Sequence, residues 1–159
     1  MKRRELFSSL VSSFKKDEKQ EKILRPPYHK NESIFFTNCK DCEGLCATVC
    51  EENIIFIQED FTPKLDLSFS GCTYCNECAI ACPNEVLQVE HKKNINAKIE
   101  IDILNCLSWN KTMCFSCKDP CLDNAIDFLA MFRPSINSNC TACGFCIKSC
   151  PTNAIKIIS

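Results

Sequence analysis

The sequence predicts an α+β fold built twice over, from short hairpins and short helical turns set around cysteine loops, with a helical N-terminal tail. Three observations predict it. Sixteen cysteines in 159 residues fall into four groups of four with none left over. Three places after the last cysteine of each group comes a polar residue and then an apolar pair: Asn53-Ile54-Ile55, Glu85-Val86-Leu87, Asn124-Ala125-Ile126 and Asn153-Ala154-Ile155. Ahead of the second and third groups the apolar residues alternate, the period of a half-buried strand. Incidental thiols would leave a remainder, so the cysteines act in sets.

Cysteine is about a tenth of the chain, far above ordinary usage. In an exported chain that density means disulfides; in a reducing compartment it means metal. The start, Lys2-Arg3-Arg4-Glu5-Leu6-Phe7, superficially resembles a twin-arginine export signal. Ser8, Ser9, Ser12 and Ser13 interrupt the apolar region such a signal needs, and Lys15-Lys16-Asp17-Glu18-Lys19 closes it. No apolar run is long enough to span a membrane. A cytoplasmic, metal-binding chain is expected. So small a core leaves much of the folding energy to the metal, and the metal-free chain is expected to be largely unfolded. The net charge of −1 hides an asymmetry: residues 1–25 hold eight basic and four acidic side chains, +4, which leaves −5 on the rest. No basic stripe of the kind that binds nucleic acid is present.

Taken in order, Leu6, Phe7, Leu10, Val11 and Phe14 fall on one helical face. That face either packs on the protein's own core or docks peripherally on a partner or an anionic membrane surface. Arg25-Pro26-Pro27-Tyr28 reads as a rigid, extended linker, which sets a boundary near Tyr28. The domains are then 1–28, a basic tail and linker; 29–90, a first unit with two cysteine groups; and 91–159, a second with two more. The first group is Cys39, Cys42, Cys46 and Cys50, with gaps of two, three and three residues. Leu65, Leu67 and Phe69 alternate before the second, Cys72, Cys75, Cys78 and Cys82, which Pro83 follows. Ile95, Ala97, Ile99, Ile101 and Ile103 alternate before the third, Cys106, Cys114, Cys117 and Cys121, whose first gap has grown to seven. Residues 125–136 carry the chain to the fourth, Cys140, Cys143, Cys146 and Cys150, followed by Pro151.

The second and fourth groups read C-x2-C-x2-C-x3-C-P, the spacing with which a bacterial ferredoxin loop wraps a [4Fe–4S] cube. Each iron needs one thiolate beyond its inorganic sulfides, so four cysteines serve one cube. All sixteen cysteines are candidate ligands, for three to four clusters per chain, the third group being the uncertain one. In two-cluster ferredoxins the fourth cysteine of a group serves the neighbouring cluster. The simplest arrangement joins group one with two and three with four; a nested one, one with four and two with three, is equally consistent with the spacing. Tyr74, Ala79, Ile80, Phe115, Phe145 and Ile147 would keep water from the sulfurs, and Trp109 either covers the third cluster or packs on the surface. The polar residue after each group is read as turn chemistry. His29 and His91 lie in polar stretches and are expected to be solvated. No phosphate loop and no flavin or nicotinamide fingerprint is present, so an electron carrier is expected rather than an enzyme. A zinc scaffold would not need the third close cysteine or the trailing proline.

The Arg3-Arg4 start, Arg25-Pro26-Pro27-Tyr28, Glu32-Ser33 and Phe36 ahead of Cys39, and Cys106-Leu107 with Cys114-x2-Cys117-x3-Cys121 together resemble the NapF family, ferredoxin-type accessory proteins of periplasmic nitrate reductase systems. The wider first group departs from that family's usual spacing. The resemblance implies a cytoplasmic iron–sulfur protein whose partner is the precursor form of the nitrate reductase catalytic subunit. It would load or maintain that subunit's cluster, or reduce it, before export. A site that hands over a cluster must lie near the surface, which suits the loosely spaced first or third group. The competing expectation is an electron-transfer subunit feeding a membrane-associated redox complex.

Overall fold

A strand must find neighbours for its backbone groups, and here each strand is three to five residues long and finds one partner. The computed structural model describes residues 23–158. The amphipathic face expected between Leu6 and Phe14 lies outside the described residues.

The second unit shows the plan most clearly. Strand β3 (Lys98–Ile101) leads into the third cysteine group. Strands β4 (Ile126–Leu129) and β5 (Phe132–Ile136) then form a hairpin. The fourth group follows, carrying a short helix (Phe145–Ser149), and the chain ends in β6 (Ile155–Ile158). Strand β6 returns to pair antiparallel with β3, Ile99 opposite Ile157 and Ile101 opposite Ile155, so the first and last strands close the unit. Ile99 and Ile155 are buried on its inner face. The alternation expected to run to Ile103 stops at Ile101. Asp102 ends the strand there by accepting the Leu104 N–H (3.1 Å) in an Asx turn, and Ile103 is exposed.

The first unit repeats the plan with a weaker closure. Helix α1 (Ser33–Asn38) precedes the first cysteine group, in which α2 (Leu45–Thr48) lies. Strands β1 (Ile55–Ile57) and β2 (Pro63–Leu65) make the hairpin, and α3 (Glu77–Ile80) lies in the second group; the fourth group's helix is thus α4. The closing segments, neither of them a strand, are Arg25–His29 and the chain around Leu87. They share a single bridge, His29 with Leu87, extended by the Gln88 N–H to Tyr28 O (2.8 Å) and the Lys93 N–H to Pro27 O (2.9 Å). The reason is local: Pro26 and Pro27 have no N–H to offer a ladder.

Arg25–Tyr28 is therefore no linker. Pro26, Pro27 and Tyr28 are fully buried, and the Arg25 guanidinium donates to Thr62 Oγ1 (2.8 Å) and Pro63 O (2.6 Å) while lying over Phe35. The proline pair that suggested an extended spacer is instead packed at the edge of the first unit, with Pro27 and Tyr28 in a turn. His29 corrects a second expectation. It is buried, its Nδ1–H donates to Pro26 O (2.7 Å), and its ring packs on Phe35 at 5.0 Å. Burial holds the imidazole below its usual range. Phe69 corrects a third: β2 ends at Leu65, and Asp66 accepts the Ser68 N–H (2.9 Å), turning the chain so that Phe69 points to solvent.

The units meet at a backbone seam. The Cys72 N–H donates to Cys143 O (2.7 Å), and the Tyr74 hydroxyl donates to Thr141 O (2.6 Å) while accepting the Ile95 N–H (3.1 Å). Gly71 is required for this approach. A Cβ there would stand 2.6 Å from Phe145 N and 2.7 Å from Cys143 O, both backbone atoms.

Candidate metal centres

The cysteines ring four cavities, and each cavity takes three thiols from one group and the fourth from its neighbour. Cys39, Cys42 and Cys46 are joined by Cys82, and Cys72, Cys75 and Cys78 by Cys50. In the second unit Cys106, Cys114 and Cys117 are joined by Cys150, and Cys140, Cys143 and Cys146 by Cys121. These are the first, second, third and fourth sites, named for the group that supplies three ligands. The antiparallel closure of each unit produces the exchange: it lays the two groups head to tail, so each chain leaves one site past the mouth of the other. The structure thus joins one with two and three with four.

Three of the four loops, those of the first, second and fourth groups, reach their sites by left-handed backbone. Gly44, Asn76 and Gly144 have φ of 73°, 72° and 94°, each two residues before the third cysteine and each opening a helical turn. The first group's extra residue, Glu43, lies ahead of Gly44 and leaves that geometry intact. Asn53, Glu85, Asn124 and Asn153, three places past each group, also have φ near 50°. The turn chemistry expected there is present, and it carries a consequence. It swings the N–H of Ala125 onto Cys121 Sγ and that of Ala154 onto Cys150 Sγ, both at 3.2 Å, while the Leu87 N–H reaches Cys82 Sγ at 3.5 Å. Three of the four cysteines that cross between sites receive these bonds, and Cys72, which does not cross, accepts the Tyr74 N–H (3.4 Å).

Electrostatics follow burial. Desolvation pushes the thiols of Cys46, Cys78 and Cys146 up to about 12, and those of Cys39, Cys72 and Cys117 up to about 11. Burial alone would raise Cys150 too, but hydrogen bonds from Thr152, Ala154 and Ile155 outweigh it and hold that thiol below its usual range. Buried thiolates are tolerable only beside a cation, and none of the sixteen is consumed in a disulfide. A zinc ion, with sulfur at about 2.3 Å, would gather its thiolates around one point. Among the described residues no three Cys, His, Asp or Glu side chains do so. Each set of four thiols instead lines a cavity, which fits a four-iron cube with one thiolate per iron. Two buried hydroxyls fit the same group. Tyr28 lines the second site and Ser108 the third, each 1% exposed, and neither hydroxyl proton has an acceptor among the described residues.

The covering residues are mostly as expected. Ala79 is buried, and Tyr74, Phe115, Phe145 and Ile147 are partly so, but Ile80 is 68% exposed on the outer face of α3. Trp109 packs outward: its Nε1–H donates to Pro134 O (3.1 Å) and Arg133 lies over its ring. The thiol nearest solvent is Cys75, in the second group, not one in the loosely spaced first or third. Cys75 sits at the tip of a tight loop between left-handed Tyr74 and Asn76. The longer third-group loop folds back on itself instead, its Asn110 side chain donating to the carbonyls of Leu104 and Cys106.

Paired hairpin units with crossed cysteine sets define a ferredoxin-type iron–sulfur protein. Residues 38–86 match the 4Fe-4S dicluster domain family and residues 135–156 the 4Fe-4S binding domain family. The Escherichia coli (strain K12) ferredoxin-type protein NapF is 33% identical over 137 residues, 83% of this chain and 82% of that one. The Haemophilus influenzae ferredoxin-type protein NapF is 34% identical over 155 residues, 94% and 87%. The Escherichia coli ferredoxin-type protein NapG is 29% identical over 162 residues, 85% and 70%. The chain belongs to the NapF family of ferredoxin-type proteins.

Proposed function

We propose that this chain holds four [4Fe–4S] clusters on its sixteen cysteines and acts in the cytoplasm on the precursor of the periplasmic nitrate reductase catalytic subunit. It loads, maintains or reduces that subunit's own cluster before export. Likeness to the NapF relatives along most of the chain carries the reading, and four complete crossed thiol sets support it. When bound, the clusters supply one-electron chemistry. The chain's residues do the rest: cysteines hold iron, the Leu87, Ala125 and Ala154 amides steady the crossing thiolates, and the apolar lining excludes water. In this reading the chain catalyses nothing itself; the substrate chemistry belongs to the partner. Among the described residues no helix is long and apolar enough to cross a membrane.

The test is anaerobic capture with the tagged chain, offering the catalytic subunit as cluster-free precursor and as mature protein. Preferential binding of the precursor is expected, and equal or absent binding would overturn the reading. Counting iron on the same material should give about sixteen per chain, four for each cube. The seam, which puts the second and fourth sites side by side, favours a second reading, an electron carrier for a membrane-associated redox complex. Rapid electron exchange with a quinol-oxidising complex, without precursor binding, would establish that one.

A further inference from the structure

A hydroxyl sealed from water with nothing to receive its proton costs about 1–3 kcal/mol, so such groups are rare without a reason. Tyr28 and Ser108 lie in different units and in unlike surroundings. Tyr28 stands on the closing edge of the first unit; Ser108 lies in the seven-residue gap that sets the third group apart. Both are 1% exposed, neither hydroxyl proton has an acceptor among the described residues (the Asn76 backbone N–H near Tyr28 is itself a donor), and each residue lines a cavity ringed by four cysteines. By contrast the other tyrosine, Tyr74, has its hydroxyl engaged by Thr141 and Ile95 across the seam. The first and fourth cavities have no such orphan hydroxyl in their linings.

We propose that the Tyr28 and Ser108 hydroxyls are hydrogen-bond donors to the sulfurs of the second and third clusters, and that they set these two clusters at higher reduction potential than they would otherwise have. The inference rests on the four-cluster reading. The acceptor it supplies is the one the protein lacks: a sulfide or thiolate sulfur made more negative when the cluster takes up an electron. A donor aimed at that sulfur stabilises the reduced state more than the oxidised one, which raises the potential. The two residues are positioning groups, and no covalent step is involved.

The experiment is an EPR-monitored redox titration of the full chain, purified without oxygen, as wild type, Tyr28→Phe and Ser108→Ala, with iron and sulfide counted on each sample. Both variants should keep the wild-type iron content. In each, one of the four titrating signals should move to more negative potential while the other three stay. The signal that moves in Tyr28→Phe should be the one lost in Cys75→Ser, and in Ser108→Ala the one lost in Cys114→Ser. Ser108→Thr, which keeps the hydroxyl, should hold the wild-type potential. Full iron content with no signal moved, all moved together, or the wrong one moved would overturn the inference while leaving the cluster count standing. An iron content far from sixteen in the wild type would instead sink the reading beneath it. Should Tyr28→Phe shed iron, wild-type chain grown on phenol-oxygen-17 tyrosine decides: hyperfine broadening of the second site's signal supports the contact, and its absence overturns it.

Discussion

Cys50 belongs to the first group by sequence and to the second site by geometry, and the difference is measurable. Cys50→Ser should cost about four irons per chain. Combined with Cys72→Ser it should cost no more, because both thiols serve one cube; combined with Cys39→Ser it should cost about eight. An uncrossed protein would give the reverse. The thiols also make loading depend on pH. Burial keeps Cys46, Cys78 and Cys146 protonated up to about 12, so each gives up a proton to take iron. Loading therefore strengthens as pH rises and weakens as it falls. Transfer of iron to a chelator should be faster at about pH 6 than at about pH 8, with protons taken up as iron leaves.

At the scale of elements, strands this short cannot hold a sheet alone, and isolated hairpins are marginal in water. Closure decides whether a unit stands. The second unit closes through four residue pairs between β3 and β6, the first through one bridge and the Arg25–Tyr28 edge. Arg25 compensates for the missing ladder by tying that edge to Thr62 and Pro63 with charge-assisted hydrogen bonds. Arg25→Met should destabilise the first unit by about 2–4 kcal/mol. In hydrogen exchange the Gln88 and Lys93 amides should lose protection, while those of β3 and β6 keep theirs; equal loss in both units would contradict an edge held by Arg25.

Across the whole molecule, the seam fixes which clusters are neighbours. The first and second sites share one unit, the third and fourth share the other, and the Cys72–Cys143 contact joins second to fourth. The order is therefore first, second, fourth, third. In the reduced chain, removing an inner site by Cys75→Ser or Cys143→Ser should strand one cube as an uncoupled EPR signal of about one spin. Removing an end site by Cys42→Ser or Cys114→Ser should leave three coupled cubes. Gly71→Ala, whose Cβ would collide with the Phe145 and Cys143 backbone, should weaken the central coupling with all irons still bound. Stranded signals from the end-site variants would refute the order.

What the sequence by itself determined was the chemistry and the repeat. Thiols at gaps of two can converge only on a common centre, a property of chain length and sulfur reach, and the polar residue after each group announced a turn. Local rules also misled, for stated reasons. Pro26-Pro27 is stiff whether solvated or buried, and the spacing does not say that it is buried in a turn; the alternation ahead of the second and third groups outran its strands because Asp66 and Asp102 turn the backbone sooner. Only the tertiary structure decided which fourth cysteine serves which site, that Cys75 is the thiol nearest water, and that Tyr28 and Ser108 line the second and third sites. These depend on groups far apart in the chain meeting across a closed unit or a glycine-wide seam, and no local spacing encodes such a meeting.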